Sequence, residues 1–331
     1  MSETQIRTRR AVLKWVVAGT AGPAGLPVLR ASEFPERPVK IMNPTAPGGT
    51  VDIVARTMAE KMGPQLGQPV IVEHRPGGSG GIAATLVSKG PKDGYMMFIG
   101  TSSTLGFMKM LNPDLPYEPV KDFTPISMVG SVPIGIFTSG NSSIKSVYDL
   151  VTAAKAKPGE LSYGSSGLLS LTHLAGELLC QRAGIRMIHV PYTGAQQGYW
   201  GDVIGGRLTA AMVGVTGGLA LAREGKLNLI AIASRERSRL LPDVPAIGEV
   251  YPGFDVPAWF GLAVAAGTPA NVVQKLEVAA LAALRDPATR TQLAAAGVDI
   301  DPILSANAFA TKIATDNQMW EKTFKNVGLM K

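Results

Sequence analysis

The feature that most constrains the fold is a regular alternation of short apolar runs with amphipathic helical patterns. A strand pattern (PVKIMNP) precedes a Gly-rich turn, and residues 51–62 then carry apolar side chains at helical spacing before Gly63 ends the run. The same order continues through PVIVEH, IAATLVSKG and YMMFIG. This repetition predicts an α/β protein in which helices cover the faces of a parallel sheet.

The alternation begins again in the middle of the chain, which predicts a second sheet. Strand patterns at LSYGSS, MIHVPY, TAAMVGV and LNLIAIAS are separated by helical patterns, and the apolar run PAWFGLAVAAG can return to the first sheet. We therefore predict two α/β lobes joined by two crossings, near residues 128–138 and 254–264. The predicted boundaries are 32–130 with 256–331 for lobe one, and 131–255 for lobe two.

The first 31 residues are predicted to be a secretory signal peptide. A basic start is followed by an apolar stretch, Trp15 to Leu29, that Gly and Pro interrupt. The run TRRAVLK resembles a twin-arginine signal, with Val12 where Phe is usual. We expect export to the periplasm and cleavage near Ala31, although Leu29-Arg30-Ala31 departs from the usual small-residue cleavage pattern.

Charge and motifs exclude several other classes of protein. The net charge is +7, and residues 1–31 hold five basic residues and one acidic, or +4, which leaves 7 − 4 = +3 for the rest. These basic residues are scattered rather than interleaved with aromatics, so no nucleic-acid partner is expected. The single Cys180 excludes an intrachain disulfide, and no H-E-x-x-H or Walker pattern occurs. We therefore expect no metal and no cofactor, and a monomer.

Two loops share a layout that suits an anion. Residues 41–50 (IMNPTAPGGT) and 161–167 (LSYGSSG) each end a strand with small residues and open a helix. Such loops leave backbone N–H groups free at the positive end of the helix dipole, and Ser or Thr hydroxyls add donors. One loop in each lobe predicts a carboxylate held from both sides of a cleft. The alternative is that Thr50 and Ser166 only cap their helices.

Residues 36–328 resemble the Bug-type receptors, the extracytoplasmic binding proteins of the tripartite tricarboxylate transporter family. The resemblance rests on PVKIMNPTAPGGTVDIVARTMAEKMG, YGSSGLLSLTHLAGELL, HVPYTGAQQ, RSRLLPDVPAIGEV and PGFDVPAWFGLAVAAGTP. It implies a two-lobed periplasmic-binding-protein fold of the type II kind, with parallel-sheet lobes and hinged closure. It also implies a solute receptor for uptake or sensing, not an enzyme, with a membrane transporter or sensor as partner.

The resemblance also implies a ligand site in which both loops hold a carboxylate, partly through ordered water. Asp52 either holds the first loop or meets a ligand ammonium, and Trp259 belongs either to the core or to the pocket. The predicted ligand-binding residues are Ala46, Gly48, Gly49, Thr50, Asp52, Thr101, Ser102, Ser103, Ser165, Ser166, Gly167, Thr193, Gly194, Ala195 and Trp259.

Three positions depart from the family pattern. His74 stands where Asn is usual, Thr193 where a basic residue is usual, and Thr209 where Asp is usual. Because contacts of the second lobe select the ligand in this family, its identity stays open among dicarboxylates, tricarboxylates, aromatic acids and amino acids.

One enzyme alternative remains open at this point. Gly77-Gly78-Ser79-Gly80-Gly81 matches the G-x-S-x-G elbow of α/β hydrolases, with Ser79 as the nucleophile. That fold needs a histidine near the end of the chain, whereas the last of the three histidines here is His189.

Overall fold

The computed structural model describes residues 34–192, 197–300, 302, 305–326 and 330. The predicted signal peptide, residues 1–31, lies outside them. The strands are β1 (Val39–Asn43), β2 (Val70–His74), β3 (Met96–Thr101), β4 (Phe123–Ser131), β5 (Ile134–Ser139), β6 (Ser162–Ser165), β7 (Ile188–Pro191), β8 (Ala210–Gly214), β9 (Leu227–Ile232) and β10 (Trp259–Ala265).

Helices cover both sheets, and the longest of them follow the apolar periodicity of the sequence. None of the helices in the described ranges is both long and apolar enough to cross a bilayer. The helices are α1 (Thr50–Leu66), α2 (Gly81–Ser88), α3 (Met108–Leu111), α4 (Val147–Ala156), α5 (Leu171–Ala183), α6 (Gln197–Ile204), α7 (Leu219–Arg223), α8 (Ile247–Val250), α9 (Ala270–Arg285), α10 (Pro287–Ala295) and α11 (Ala306–Asn326).

The ten strands form two five-stranded sheets, in the orders β2-β1-β3-β10-β4 and β7-β6-β8-β5-β9. In the first sheet β1 runs parallel to β2 and β3, and β10 runs antiparallel to β3 and β4. In the second, β6 runs parallel to β7 and β8, and β5 runs antiparallel to β8 and β9. Both lobes are thus mixed sheets, and the predicted parallel pairing holds for three strands of each.

The antiparallel pairs follow from where the chain enters each sheet. β5 and β10 are the first strands after a crossing, and both begin beside the cavity described below, where β1, β3, β6 and β8 end. A strand that enters from the other lobe must run away from the cleft, opposite to strands that run towards it. The sequence pattern showed the strands but not their direction.

The two crossings lie side by side and inside the predicted windows. Val132 follows β4 and Ala258 precedes β10, and the N–H of Val132 donates to the carbonyl of Ala258 at 2.9 Å. Residues 131–134 and 256–259 therefore form a two-stranded connection between the sheets.

Helix α11 adds a further link between the lobes. The ring of Phe107, in the π-helical segment Ser103–Phe107 after β3, lies 4.9 Å from the ring of Trp320 and 5.4 Å from that of Phe324. These three side chains belong to the same buried cluster as Ile134 and Ile136 of the second sheet. The lobes are therefore joined by the crossings and by a shared apolar core.

Candidate functional site

A cavity of about 500 Å³ lies between the two sheets, at the ends of the strands that run towards the cleft. The crossings form its back, and loops of both lobes form its sides. First-lobe lining residues are Pro44, Thr45, Ala46, Pro47, Gly49, Thr50, Val51, Pro76, Gly77, Gly78, Ser79, Gly80, Thr101, Ser102, Ser103, Thr104, Trp259 and Phe260. Crossing and second-lobe lining residues are Val132, Ile134, Ser166, Ser170, Leu171, Thr172, Tyr199, Val213, Gly214 and Ala258.

The loop before α1 presents an uncapped helix start to this cavity. Gly49 precedes α1 in an extended conformation, and no side chain accepts a hydrogen bond from the first turn of the helix. The N-terminal N–H groups of a helix carry the positive end of its dipole, which attracts an anion. Of the ligand-binding residues predicted in this loop, Ala46, Gly49 and Thr50 line the cavity, whereas Gly48 and Asp52 do not.

Gly48 and Asp52 shape this loop from behind. Gly48 has φ +89°, a conformation that favours glycine, and its N–H donates to Oδ2 of Asp52 at 2.9 Å. The Asp52 carboxylate also accepts from Nε of Arg56 at 3.0 Å and contacts Nε2 of His74 at 2.7 Å. Burial raises the pKa of Asp52, but the hydrogen bonds from Gly48, Arg56 and His74 outweigh it and lower that pKa. Asp52 thus contacts the first loop through Gly48 and does not line the cavity.

Three buried hydroxyls on the first-lobe wall make no hydrogen bond within the described residues. They are Oγ1 of Thr50 and the Oγ atoms of Ser102 and Ser103, in residues that are 6%, 1% and 4% exposed. Thr101 differs, because its hydroxyl lies 3.3 Å from Oγ1 of Thr104. A buried hydroxyl without a partner costs about 1–3 kcal/mol, so three on one wall indicate a place where a ligand accepts hydrogen bonds.

The corresponding loop of the second lobe uses its hydroxyls internally. Oγ of Ser165 lies 2.6 Å from Nε2 of His189, and Oγ of Ser166 lies 2.8 Å from Oγ1 of Thr172. The N–H of Gly167 donates to Oγ of Ser165 at 3.2 Å. Ser170 caps α5 by accepting from the His173 N–H. Of the three residues predicted here only Ser166 lines the cavity, whereas Ser165 and Gly167 do not.

Two stacked histidines support this second loop. The rings of His173 and His189 have centroids 4.0 Å apart, and Nδ1 of His173 accepts from the N–H of Leu169 at 3.2 Å. Burial, reinforced by the neighbouring His173, lowers the pKa of His189 to about 4. Burial also lowers the pKa of His173, against the opposing effect of Glu177. Both rings are therefore neutral at neutral pH, which leaves His189 able to share one proton with Ser165.

The remaining predicted residues divide between pocket and core. Trp259 is 1% exposed, lines the cavity, and donates from Nε1 to Oδ2 of Asp316 at 2.7 Å, so it belongs to both. Thr101 also lines the cavity. Thr193, Gly194 and Ala195 lie outside the described residues.

Two of the three departures from the family pattern lie away from the cavity. His74 holds Asp52, and the Thr209 hydroxyl accepts from the N–H of Ser162, between two strands of the second sheet. The third, Thr193, is not described. His74 and Thr209 therefore do not line the cavity.

Several lining residues were missed by the sequence analysis. The loop Pro76–Gly80 follows β2 as residues 44–49 follow β1, so its position after a strand was the available signal. Gly214 ends β8 close to the first lobe, where an added Cβ would lie 3.3 Å from Oγ1 of Thr50. Tyr199 and Leu171 gave no signal, since apolar residues at helix starts occur throughout the chain.

The hydrolase alternative requires a histidine beside Ser79, and the structure places a carbonyl there. Oγ of Ser79 donates to the carbonyl of Leu168 at 2.6 Å, which joins the two lobes at the cavity rim. His74, the nearest histidine in sequence, contacts Asp52 instead. Within the described chain Ser79 thus lacks a general base.

Comparison with known proteins gives a consistent answer. The family model of the tripartite tricarboxylate transporter family receptor matches residues 54–329. BugT of Bordetella pertussis (strain Tohama I) is 33% identical over 315 residues, which cover 94% of each chain. The structure of the periplasmic binding protein BugD has a TM-score of 0.83 and 31% identity, and the match covers 90% of this chain and 100% of that one.

A third similar protein was solved with a ligand. This R. palustris protein, whose structure contains adipate, has a TM-score of 0.84 and 30% identity, with 89% of this chain and 99% of that chain covered. These matches confirm the two-lobed periplasmic-binding-protein fold and the resemblance to Bug-type receptors, and they identify a receptor rather than an enzyme. On this basis the chain belongs to the receptors of the tripartite tricarboxylate transporter family.

Proposed function

We propose that this protein is a periplasmic receptor that binds a small carboxylate in the cavity between its lobes. The observation that carries the proposal is the wall formed by the uncapped start of α1 and the hydroxyls of Thr50, Ser102 and Ser103. Together they offer donors at the positive end of a helix dipole, and hydrogen bonds to a carboxylate are stronger than those between neutral groups. The similar R. palustris protein contains a carboxylate, adipate.

We assign different roles to the residues around this wall. Thr50, Ser102 and Ser103 donate to the carboxylate, and Gly49 allows it to approach the backbone. Ala46, Thr101, Ser166 and Trp259 complete the walls. Gly48, Asp52, Ser165 and Gly167 hold the two loops in place, and Thr193, Gly194 and Ala195 remain proposed ligand contacts.

We further propose that the lobes close on the ligand by bending at residues 131–134 and 256–259. The shared cluster of Phe107, Trp320 and Phe324 restricts this motion to the side away from α11. The proposed lobes are 32–130 with 256–331, and 131–255. Residues 1–31 would direct export by the twin-arginine route, with cleavage near Ala31, and the partner would be a membrane transporter or sensor for a monomeric receptor.

The proposal is tested by thermal unfolding of the purified mature protein with a panel of acids and their amides. The panel contains monocarboxylates, dicarboxylates, tricarboxylates, aromatic acids and amino acids at millimolar concentration. We expect at least one acid to raise the unfolding temperature by several degrees while its amide does not, since a ligand that binds only the folded state stabilises it. If no acid shifts the transition, the proposed function is wrong.

A further inference from the structure

A hydrogen bond between the lobes bridges the mouth of the cavity. Oγ of Ser79, in the loop after β2, donates to the carbonyl of Leu168, in the loop before α5, at 2.6 Å. An added Cβ at the neighbouring Gly167 would lie 3.5 Å from the same Oγ, so the two loops touch here. Because the crossings at residues 131–134 and 256–259 form the back of the cavity, an opening movement about them breaks this contact at the mouth.

The first lobe holds Ser79 in a fixed position. The N–H of Gly80 donates to the carbonyl of Gly77 at 3.0 Å, which closes a tight turn around the serine. An added Cβ at Gly80 would lie 2.8 Å from Cγ2 of Thr104 and 3.0 Å from Cβ of Pro44. The turn is therefore packed against the first lobe, and the serine hydroxyl is presented from a supported backbone.

The second lobe fixes the backbone on both sides of the acceptor. The carbonyl of Gly167 accepts from the N–H of Ser170 at 3.3 Å and from its Oγ at 2.7 Å. The N–H of Leu169 donates to Nδ1 of His173 at 3.2 Å. The carbonyl between them, that of Leu168, accepts instead from the other lobe. Donor and acceptor are thus each positioned by their own lobe before they meet.

Backbone strain is concentrated at this contact. Among the described residues other than glycine, only Ser79 and Leu169 have positive φ, at +52° and +59°. This conformation brings Cβ close to the following carbonyl oxygen, so it is unfavourable for residues other than glycine. Such strain persists where surrounding contacts hold it, and it clusters at ligand clamps and switch regions. One strained residue is the donor of the hydrogen bond, and the other is next to the acceptor.

We infer that Ser79 and the Leu168 carbonyl form a latch that holds the lobes together over a bound ligand and slows its release. The inference rests on the proposed function, since it requires hinged closure on a ligand. The latch acts on the equilibrium between open and closed lobes, whereas the hydroxyls of Thr50, Ser102 and Ser103 act on the ligand itself. A contact that exists only in the closed form reduces the rate of opening and therefore the rate of release.

The exposure of both groups limits the strength of the latch. Ser79 is exposed and Leu168 is 59% exposed, so water replaces their hydrogen bond when the lobes part. A hydrogen bond that exchanges with water in this way changes an equilibrium by about 2- to 10-fold. The latch therefore prolongs the closed form and still opens by thermal motion, as delivery of the ligand requires.

The first test asks whether the two loops meet in solution without a ligand. Ser79→Cys combined with Gly167→Cys suits a cross-link, since a Cβ at residue 167 would lie 3.5 Å from Oγ of Ser79 and disulfide-bonded Cβ atoms are about 3.5–4.5 Å apart. Mild oxidation of the mature protein should join residues 79 and 167, as detected by mass spectrometry of the digested protein. Ser79→Cys alone should form no internal disulfide, because the native Cys180 is buried.

A second cysteine pair covers the failure of the first to fold, since Gly167 has φ +126°. It combines Ser79→Cys with Leu168→Cys, and the exposed Leu168 side chain contributes little packing. This pair should also cross-link on oxidation.

The second test measures the release of adipate, the acid in the similar R. palustris structure, or of another acid of the panel if adipate does not bind. Stopped-flow fluorescence suits this measurement, because Trp259 lines the cavity. Ser79→Ala should release the acid about 2- to 10-fold faster than the wild type. Ser79→Gly should release it as fast as Ser79→Ala without a fall in unfolding temperature, because glycine removes the strain together with the hydroxyl.

Ser88→Ala is the matched control for the release measurement. Oγ of Ser88 also donates to a backbone carbonyl, that of Thr85 at 3.1 Å, but this bond lies within α2 of one lobe. The Ser88→Ala variant should therefore release the acid at the wild-type rate.

The outcomes separate the latch from the proposed function. Wild-type release from both Ser79 variants, or the absence of a cross-link in folded cysteine pairs, overturns the latch and leaves the carboxylate receptor standing. If no acid of the panel binds, the proposed function and the role of the latch in ligand retention both fail, even where the cross-link forms.

Discussion

The loop before α1 and the loop before α5 share a layout, but their hydroxyl groups are used in opposite ways. In the first lobe, Oγ1 of Thr50 and the two hydroxyls after β3, those of Ser102 and Ser103, are buried without a hydrogen-bond partner among the described residues. In the second lobe, Ser165 contacts His189 and Ser166 contacts Thr172. The first helix start is uncapped, and the second is capped by Ser170.

Two Gly-rich helix starts therefore need not contribute equally to an anion site. A hydroxyl that already has a partner gains less from a ligand than one that has none, since only the unpartnered group replaces an unfavourable state. In place of the symmetric grip expected from the sequence, we therefore propose an asymmetric one. In this proposal the first lobe supplies the donors, and the second supplies a preformed wall. The predictions below test this asymmetry once an acid has been identified by the panel.

The largest effect is expected from Thr50→Val, which keeps the shape of the side chain and removes its hydroxyl. Binding should weaken by about 10- to 150-fold, the equivalent of ~1.5–3 kcal/mol for a hydrogen bond to a charged group. Stability without ligand should not fall, because the lost hydroxyl has no hydrogen-bond partner in the described part of the chain. Calorimetry and thermal unfolding measure the two quantities.

Thr57→Val is the matched control for Thr50→Val. Thr57 is also buried in α1, but its hydroxyl donates to the carbonyl of Ile53 at 2.9 Å and does not face the cavity. The Thr57→Val variant should bind the acid as tightly as the wild type does. If both variants bind equally well, the hydroxyl wall is not the carboxylate site.

A smaller effect on binding is expected from Ser166→Ala. Because Oγ of Ser166 already pairs with Thr172, affinity should fall by less than about fivefold, whereas unfolding should cost about 0.5–1.5 kcal/mol less. Calorimetry measures the affinity of Ser166→Ala, and thermal unfolding measures its stability. A loss of affinity as large as that of Thr50→Val would restore the symmetric grip and contradict the comparison.

The smallest effect is expected in the pH dependence of stability, through His189, which supports the second loop. His189 has a folded-state pKa of about 4, below its ordinary value of 6.5, so the unfolded chain binds the proton more readily. Stability is then fully present above about pH 6.5 and is lost as the pH falls towards 4. In His189→Gln, the slope of stability against pH should be smaller between these values, although not zero, because the pKa of His173 is also lowered.

Urea unfolding between pH 4 and 7.5 measures this slope in the wild type and in His189→Gln. Thr50→Val serves as the reference, since its lobe lacks this histidine pair, and its slope should match the wild type. An unchanged slope in His189→Gln would show that the histidine under the second loop does not titrate as the geometry implies.

Much of the fold could be predicted from the sequence, because it depends on local patterns. The strand–loop–helix order and the windows of both crossings are found where the patterns placed them. Ala46, Gly49, Thr50, Thr101, Ser102, Ser103, Ser166 and Trp259 line the cavity because each stands at or near the end of a strand, at the start of a helix, or where the chain re-enters a lobe. The antiparallel direction of β5 and β10 was missed, since strand direction depends on which lobe the chain comes from.

The sequence by itself determined which residues are near one another along the chain: glycines in turns, hydroxyls at helix starts, and apolar faces that must be buried. Only the tertiary structure decided which of those hydroxyls have partners. Asp52 contacts His74, which is 22 residues away in the sequence, and Ser79 donates to Leu168, which is 89 residues away. Ser165 contacts His189, which is 24 residues away in the sequence. Such contacts form because sheet packing brings distant loops together, and hydrogen bonding depends on that geometry rather than on residue type.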